Sequence, residues 1–433
     1  MATQPDLLMP APRVAMVNDP RIRGAVYQVL LLALVVWLGV EAYLNAQANL
    51  QAQRIATGFD FLENTAGFGV NQSLIAYRES DTYGRVFIVG LLNTLLVAVL
   101  GIAIATVLGF AIGIARLSSN WLVARLAGAY VEIIRNQPLL FQILFWYLAV
   151  LGAMPAPRQS IAIGVQPLLQ GMADGLAALQ RFGLPGAPAD LCRALADWAG
   201  PPQVFLNNRG LVMPELTVGP GGSLIAATAL AGLIAFVVLR IWAKRRQAAT
   251  GKPFPLLWSG LGLIVGLPLV IFVALGAPVT LTPPVLRGFN FASGVRVIPE
   301  FVALLIALST YTAAFIAEIV RAGIQAVPRG QTEAAYSLGL PRRRVLRFVV
   351  LPQAMRLIVP PLTSQYLNLT KNSSLAVGIG YPDLFAVFAG TALNQTGQAI
   401  EILAMTMAVY LLLSLITSAL MNWYNARMAI PGG

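Results

Sequence analysis

Long apolar runs separated by short polar breaks dominate the chain. Eight stand out, at roughly 26–45, 86–114, 123–151, 223–242, 257–276, 300–322, 357–380 and 401–423. Crossing a hydrocarbon core of about 30 Å takes about 20 apolar residues in a helix. Only helices and closed barrels satisfy every backbone polar group in lipid, and a barrel would show short alternating strands in place of continuous runs. The pattern predicts an all-α membrane protein of about eight transmembrane helices, the third of them broken near Pro138.

Composition supports this pattern. Of 433 residues, 58% are hydrophobic and only 11% charged, too few charges to coat a soluble domain of this size. The net charge of +12 is distributed unevenly along the loops. With the N-terminus placed in the cytoplasm, nineteen of the 29 basic residues fall on the cytoplasmic side, among them Arg240, Lys244, Arg245, Arg246, Arg342, Arg343, Arg344 and Arg347. Cytoplasmic loops of membrane proteins accumulate Lys and Arg, so the charge reads as a topology signal. It predicts both termini in the cytoplasm and residues 47–84, 152–222, 277–298 and 381–399 outside. Nucleic-acid binding would need the basic residues gathered with aromatics on a soluble face, and no nucleic-acid partner is expected.

Several chemistries are excluded. The chain has no histidine, which removes the usual general base and the commonest metal ligand, and the lone Cys192 can form neither an intrachain disulfide nor a cysteine metal site. No phosphate-cradling glycine loop ending in Lys-Ser or Lys-Thr is present. No catalytic residue, metal or bound cofactor is predicted. Any energised transport would draw on an ion gradient or another subunit.

Residues 152–222 form a long segment rich in Gly, Pro and Ala, with a short helix expected at 190–198. Loops of this length are usually functional or partly disordered. The opposite side carries a compact basic stretch, "RGQTEAAYSLGLPRRRVLRFVVLP", residues 329–352. Its first half reads as a helix capped by Thr332 or Gln331 and closed near Gly339. Leu340 and Pro341 turn the chain, and a second short helix follows with Val345, Phe348 and Val349 on one face. Two short helices at an angle make a knob at the cytoplasmic surface. Ordinary positive-inside residues on a connecting loop would explain the arginines alone, but not a carboxylate followed by small residues and a glycine at fixed spacing.

That spacing resembles the EAA loop of bacterial ABC-importer permeases: Glu333, Ala334 and Ala335, then Gly339, then Leu351 and Pro352. The flanking "STYTAAFIAEIVRAGIQAVPRGQTEAAYSLGL" and "TKNSSLAVGIGYPDL" are similar to the polar amino-acid uptake branch of that family, as are "NTLLVAVLGIAIATVLGFAIGIARLS" and "YVEIIRNQPLLFQILFWY" upstream. General L-amino-acid and glutamate/glutamine/aspartate/asparagine importers come nearest. The resemblance covers about 86–151 and 297–425.

The resemblance implies a passive channel half with a core of five helices, at 86–151 and 299–425. To it are added a cytoplasmic segment at 1–25, an extra helix and external loop at 26–85, the external loop 152–222, and two extra helices with a loop at 223–298. It implies docking of 329–352 on a separate cytoplasmic ATPase that holds ATP and Mg, with Glu333, Ala334, Ala335, Gly339, Arg342 and Arg343 in the coupling contact. It further implies two ATPase copies, a second and different permease subunit, and a periplasmic amino-acid-binding protein, the whole set in membrane lipid of a bacterial inner membrane.

Ionisable groups at membrane depth are costly and usually face a cavity or a partner. Gln365, Asn368, Lys371 and Asn372 recur at helical spacing in one span, and Tyr311 and Glu318 lie seven apart in another. These six are candidates for the substrate path. Bland readings stand beside them: Glu318 and Arg321, three apart, form a plain ion pair near the cytoplasmic end, and Lys371, just past the cytoplasmic surface, snorkels to the headgroups. Two rivals remain, an ion-coupled secondary amino-acid transporter and a membrane scaffold. Only the importer requires a separate ATPase chain.

Overall fold

The computed structural model describes residues 20–52, 57–180, 192–193, 203–219, 221–251, 254–276 and 279–428. In chain order, α1 (Pro20–Ala52) is followed by α2 (Tyr83–Ala115), α3 (Trp121–Arg135) and α4 (Leu139–Leu151). Then come β1 (Ile161–Ile163), α5 (Val165–Gln180), β2 (Val204–Asn207), β3 (Gly210–Met213) and β4 (Glu215–Val218). A helical pair, α6 (Gly222–Thr250) and α7 (Leu256–Ala274), precedes β5 (Val279–Thr282), β6 (Leu286–Arg287), β7 (Asn290–Phe291) and β8 (Val295–Val297). The chain ends with α8 (Pro299–Gln325), α9 (Arg329–Ser337), α10 (Arg342–Ile379), α11 (Phe385–Ala392 continued by Leu393–Thr396) and α12 (Ala399–Met428).

A predominantly helical membrane protein is therefore borne out, with two corrections. Seven of the described helices, not eight, are long and apolar enough to cross a membrane. The run at 123–151 divides into α3 and α4, each too short alone, because Pro138 has no N–H to continue the ladder. The Gln142 side chain bridges the break by donating to Ile134 O at 2.9 Å and Gln137 O at 3.4 Å, so carbonyls freed by the interruption keep partners. The second correction is that the chain is not all-α. Among the described residues, eight short strands lie outside the long helices. Of the helix expected at 190–198, only Cys192 and Arg193 fall within the described residues, and both are helical.

The central helix is α8, more than half of whose apolar stretch is buried, while almost none of α1, α6 or α7 is buried. It packs on α2 through glycines spaced by four. A Cβ on Gly109 would stand 2.5 Å from Ile316, and one on Gly113 2.8 Å from Ala317 O, so only glycine lets these backbones approach. Thr82 and Asn120 cap the helices that begin beside them, accepting from Arg85 N and from Leu122 N and Val123 N.

At the end of the bundle where α8 begins, β1, β2, β3 and β8 form one antiparallel sheet in that order. β4 pairs with β5, so the α6–α7 pair is an excursion from a β-ribbon. Leu206 and Val297 pack on a cluster with Ile298, Phe301, Leu304 and Ile143, giving sheet and bundle a common core. The opposite end of the bundle carries α9, and the two are referred to below as the sheet end and the elbow end.

Candidate functional site

The elbow is built from proline and glycine punctuation. Pro328, extended at ψ 132°, starts α9, and Gln331 N donates back to its carbonyl at 3.1 Å. The cap is thus Pro328 and not Thr332 or Gln331, because Arg329 and Gly330 are already helical. At the other end Gly339 N donates to Tyr336 O at 2.8 Å and Leu340 N to Ala335 O at 3.2 Å, with Gly339 at φ +75°. This is a Schellman closure, which needs a left-handed residue where glycine stands. Pro341 then caps α10, its carbonyl accepting from Arg344 N and Val345 N.

The second short helix expected after the turn does not exist as a separate element. Arg342 begins α10, which runs through a π-helical stretch at Leu346–Val350 to Ile379. Ala335, Val345, Val350, Ala354 and Ile358 bury together with Ile316 and Val320 of α8, so the knob shares a core with two long helices. What remains outside is Glu333, Ala334, Arg342, Arg343 and Arg344, with Leu338 at 81% exposed and Phe348 at 63%. A large apolar side chain so exposed, ringed by charge, is a surface prepared for a partner.

Glu318 sits at the elbow end of α8 and is held by Arg116, from the end of α2, and by Arg321. The expected pair with Arg321 is present, and Arg116 is an addition. Tyr311 stacks on Phe315 with ring centroids 5.0 Å apart, and the Arg135 guanidinium lies 5.0 Å over that same ring. Arg116, Glu132, Arg135, Asn136, Phe315 and Glu318 line a polar cavity of about 360 Å³ beside the α3–α4 break.

Lys371 lies far from where a residue near the elbow surface would be. It follows Arg347 by 24 residues of continuous helix, about 36 Å at 1.5 Å per residue. Leu369, two residues earlier, packs against Gly101 in the middle of α2. Lys371, Ser374, Thr406, Met407, Tyr410 and Ser414 line a second cavity, of about 390 Å³, between α10 and α12. Gln365 and Asn372 are half-buried and Asn368 is exposed on the same helix, and none of the three lines that cavity. Of the six candidates, Glu318 lines the first cavity and Lys371 the second, and Gln365, Asn368, Asn372 and Tyr311 line neither.

Residues 105–430 match the family described as the binding-protein-dependent transport system inner membrane component. The chain belongs to this family. It is a multi-pass inner-membrane permease component of an ABC transporter, a system whose ATPase and binding protein are other chains. It is 47% identical to the general L-amino acid transport system permease protein AapQ of Rhizobium johnstonii, over 95% of this chain and 94% of that one. It is 49% identical to the putative amino-acid ABC transporter permease protein YhdX of Escherichia coli K12, over 95% of each. To the glutamate/glutamine/aspartate/asparagine transport system permease protein BztB of Rhodobacter capsulatus it is 42% identical over 96% of each.

The permease also contains a buried polar network that periodicity does not reveal. After Gly380 the chain turns through Tyr381, Pro382 and Asp383. Asn93 Nδ2 donates to Pro382 O at 2.9 Å, Tyr381 OH to Asn93 O at 3.2 Å, and Leu384 N to Thr94 Oγ1 at 3.0 Å. The Asp383 carboxylate, fully buried, accepts from Ala386 N at 2.8 Å and Tyr410 OH at 3.1 Å. This ties α2, the 380–384 turn and α12 together at the sheet end. The available signal was the Gly-Tyr-Pro-Asp punctuation, which marks a helix end without indicating what its acid bonds to.

Proposed function

We propose that this permease is the larger membrane subunit of an ATP-driven importer for amino acids, either polar and acidic ones or L-amino acids broadly, delivered by a periplasmic binding protein. Five helical units, α2, α3 with α4, α8, α10 and α12, serve as the channel core, and α1, α6 and α7 are additions to it. The elbow end is cytoplasmic, with both termini on that side, and the sheet end is periplasmic. A second, different permease chain completes the pathway. Two cytoplasmic ATPase copies bind ATP and Mg.

The elbow carries this reading. Glu333 and the apolar Leu338 project from a knob whose angle is fixed by the Gly339 closure, and whose underside is packed into α8 and α10. A partner closing on the exposed Glu333, Ala334, Arg342 and Arg343, with Ala335 buried beneath them in the shared core and Gly339 setting the angle, would move two long helices as it closed, because packed cores shift as bodies and do not deform gradually. On the pathway itself, Lys371 meets the α-carboxylate or an acidic side chain of the cargo, with Gln365, Asn368 and Asn372 continuing the polar face and Tyr311 and Glu318 bordering the exit. A zwitterion leaving water must exchange its hydration for fixed dipoles and charges.

Uptake of labelled glutamate and alanine into proteoliposomes holding the purified complex tests this. Accumulation that needs ATP and the ATPase chain supports it. Accumulation driven by a Na⁺ or H⁺ gradient, without that chain, would replace it with a secondary transporter.

A further inference from the structure

Three segments, 155–164, 203–213 and 279–298, meet at the sheet end, joined by the β1-β2-β3-β8 sheet and by side-chain contacts to the β6–β7 hairpin. Their joint surface is unlike the rest of that end. Over 155–164, 203–218 and 279–298 it carries four arginines, Arg158, Arg209, Arg287 and Arg296, against one acid, Glu215. The preceding sheet-end segment, 57–82, has the opposite balance, Asp60, Glu63, Glu79 and Asp81 against one basic residue, Arg78. One aromatic also projects from it: Phe289, at the tip of the β6–β7 hairpin, is 71% exposed.

That tip is held in place. Arg158 Nε donates to Gly288 O at 3.0 Å while its guanidinium lies 4.2 Å over the Phe289 ring. Arg209 binds Asn290 Oδ1 on the same hairpin, and Phe291 packs on Phe205 with ring centroids 5.1 Å apart. An exposed aromatic and arginines, fixed before any partner arrives, are the residue types that dominate binding energy at protein interfaces and lose little entropy on association. The mechanical connection is as direct. β8 pairs with β3 and enters α8 after one residue, the buried Ile298, and α8 leads through Ala326–Pro328 into α9.

We propose that the Phe289 hairpin and its surrounding arginines are the docking surface for the binding protein, through an acidic patch on that protein, and that β8 and α8 carry the docked state to the elbow. This rests on the importer reading above. A zwitterion-sized cargo does not need so broad a basic face, whereas a protein partner gains both encounter rate and register from it.

The test uses the complete transporter in nanodiscs of phosphatidylcholine, with ATP hydrolysis followed as binding protein is titrated. The binding protein used is the one whose glutamine-loaded form raises hydrolysis by the wild-type complex. Phe289→Ala with Arg158→Glu should raise its half-maximal concentration by roughly tenfold or more, with basal hydrolysis unchanged. Raising salt from about 50 to about 300 mM should weaken the wild type by a larger factor than the variant, which keeps three of the four arginines. Because Arg158 also pins the hairpin, Arg287→Glu is the second variant and should give a shift in the same direction. An unchanged half-maximal concentration in both variants would overturn the proposal, as would a shift seen only when anionic phosphatidylglycerol is added, which marks a lipid-contacting face. If no binding protein stimulates the wild type, the importer reading fails and not merely this surface.

Discussion

Arg116, which closes α2, donates to one carboxylate oxygen of Glu318 near the end of α8, and Arg321 donates to both oxygens of that carboxylate. Both charged partners are largely buried, with side chains 15% and 27% exposed. Removing Glu318 takes the carboxylate away from both arginines, and removing Arg116 leaves Glu318 with Arg321 alone; losing a charged partner at such a site costs about 1–3 kcal/mol. Arg116→Gln and Glu318→Gln should each lower the melting temperature of the detergent-solubilised protein. The double variant should lose less than the two single losses added together, since the interaction is counted only once. Strictly additive losses would mean the contact contributes nothing.

Gly339 is the residue on which the elbow turns. At φ +75° an L side chain costs about 1–2 kcal/mol, so Gly339→Leu should misdirect the knob while leaving the helices inserted. Glu333→Ala removes an exposed charge without disturbing the buried Ala335 beside it. Both should abolish ATP-driven uptake at normal expression, measured in membrane vesicles. Wild-type uptake by both would remove the coupling role.

Orientation has a native reporter. Cys192 is a free, half-buried thiol in the segment between β1 and β2. An impermeant maleimide should label it in intact spheroplasts. Labelling only after lysis would invert the topology and exchange the roles of the two ends.

Lys371→Ala should depress uptake more for glutamate and aspartate than for neutral amino acids, while basal ATP hydrolysis by the assembled complex persists. The cavity that Lys371 shares with Ser374, Thr406 and Tyr410 motivates the expectation. An unchanged substrate profile together with lost assembly would make the lysine a structural residue.

The long helices were legible because a run of about 20 apolar residues has few alternatives to a span, and the Pro138 break because proline removes a donor. The Glu318–Arg321 pair followed from spacing alone, but Arg116 is 202 residues from Glu318 and no local pattern joins them. The strands are not legible in the sequence because three or four residues, such as Ile161–Ile163, are too few for a period of two to register, and their partners lie far along the chain. In sequence the elbow's second helix looks short because the four clustered arginines resemble a surface segment, whereas Val345 and Val350 are the first buried residues of α10. Because the helix already begins at Arg342, Lys371 lies deep along it and not near the elbow surface. Asp383 is buried by α2 and α12 together, a tertiary circumstance that its own neighbours in sequence do not encode.

The most direct measurement of the central claim, that the elbow docks on the ATPase, is a cross-link from its most exposed apolar residue. In a Cys192→Ser background, Leu338→Cys should cross-link to a single engineered cysteine in the partner ATPase with a short bismaleimide, and the yield should change between nucleotide-free and ATP-trapped complexes. A cysteine at Leu338 that forms no cross-link at any position scanned across the ATPase, in a complex that still transports, would contradict the account.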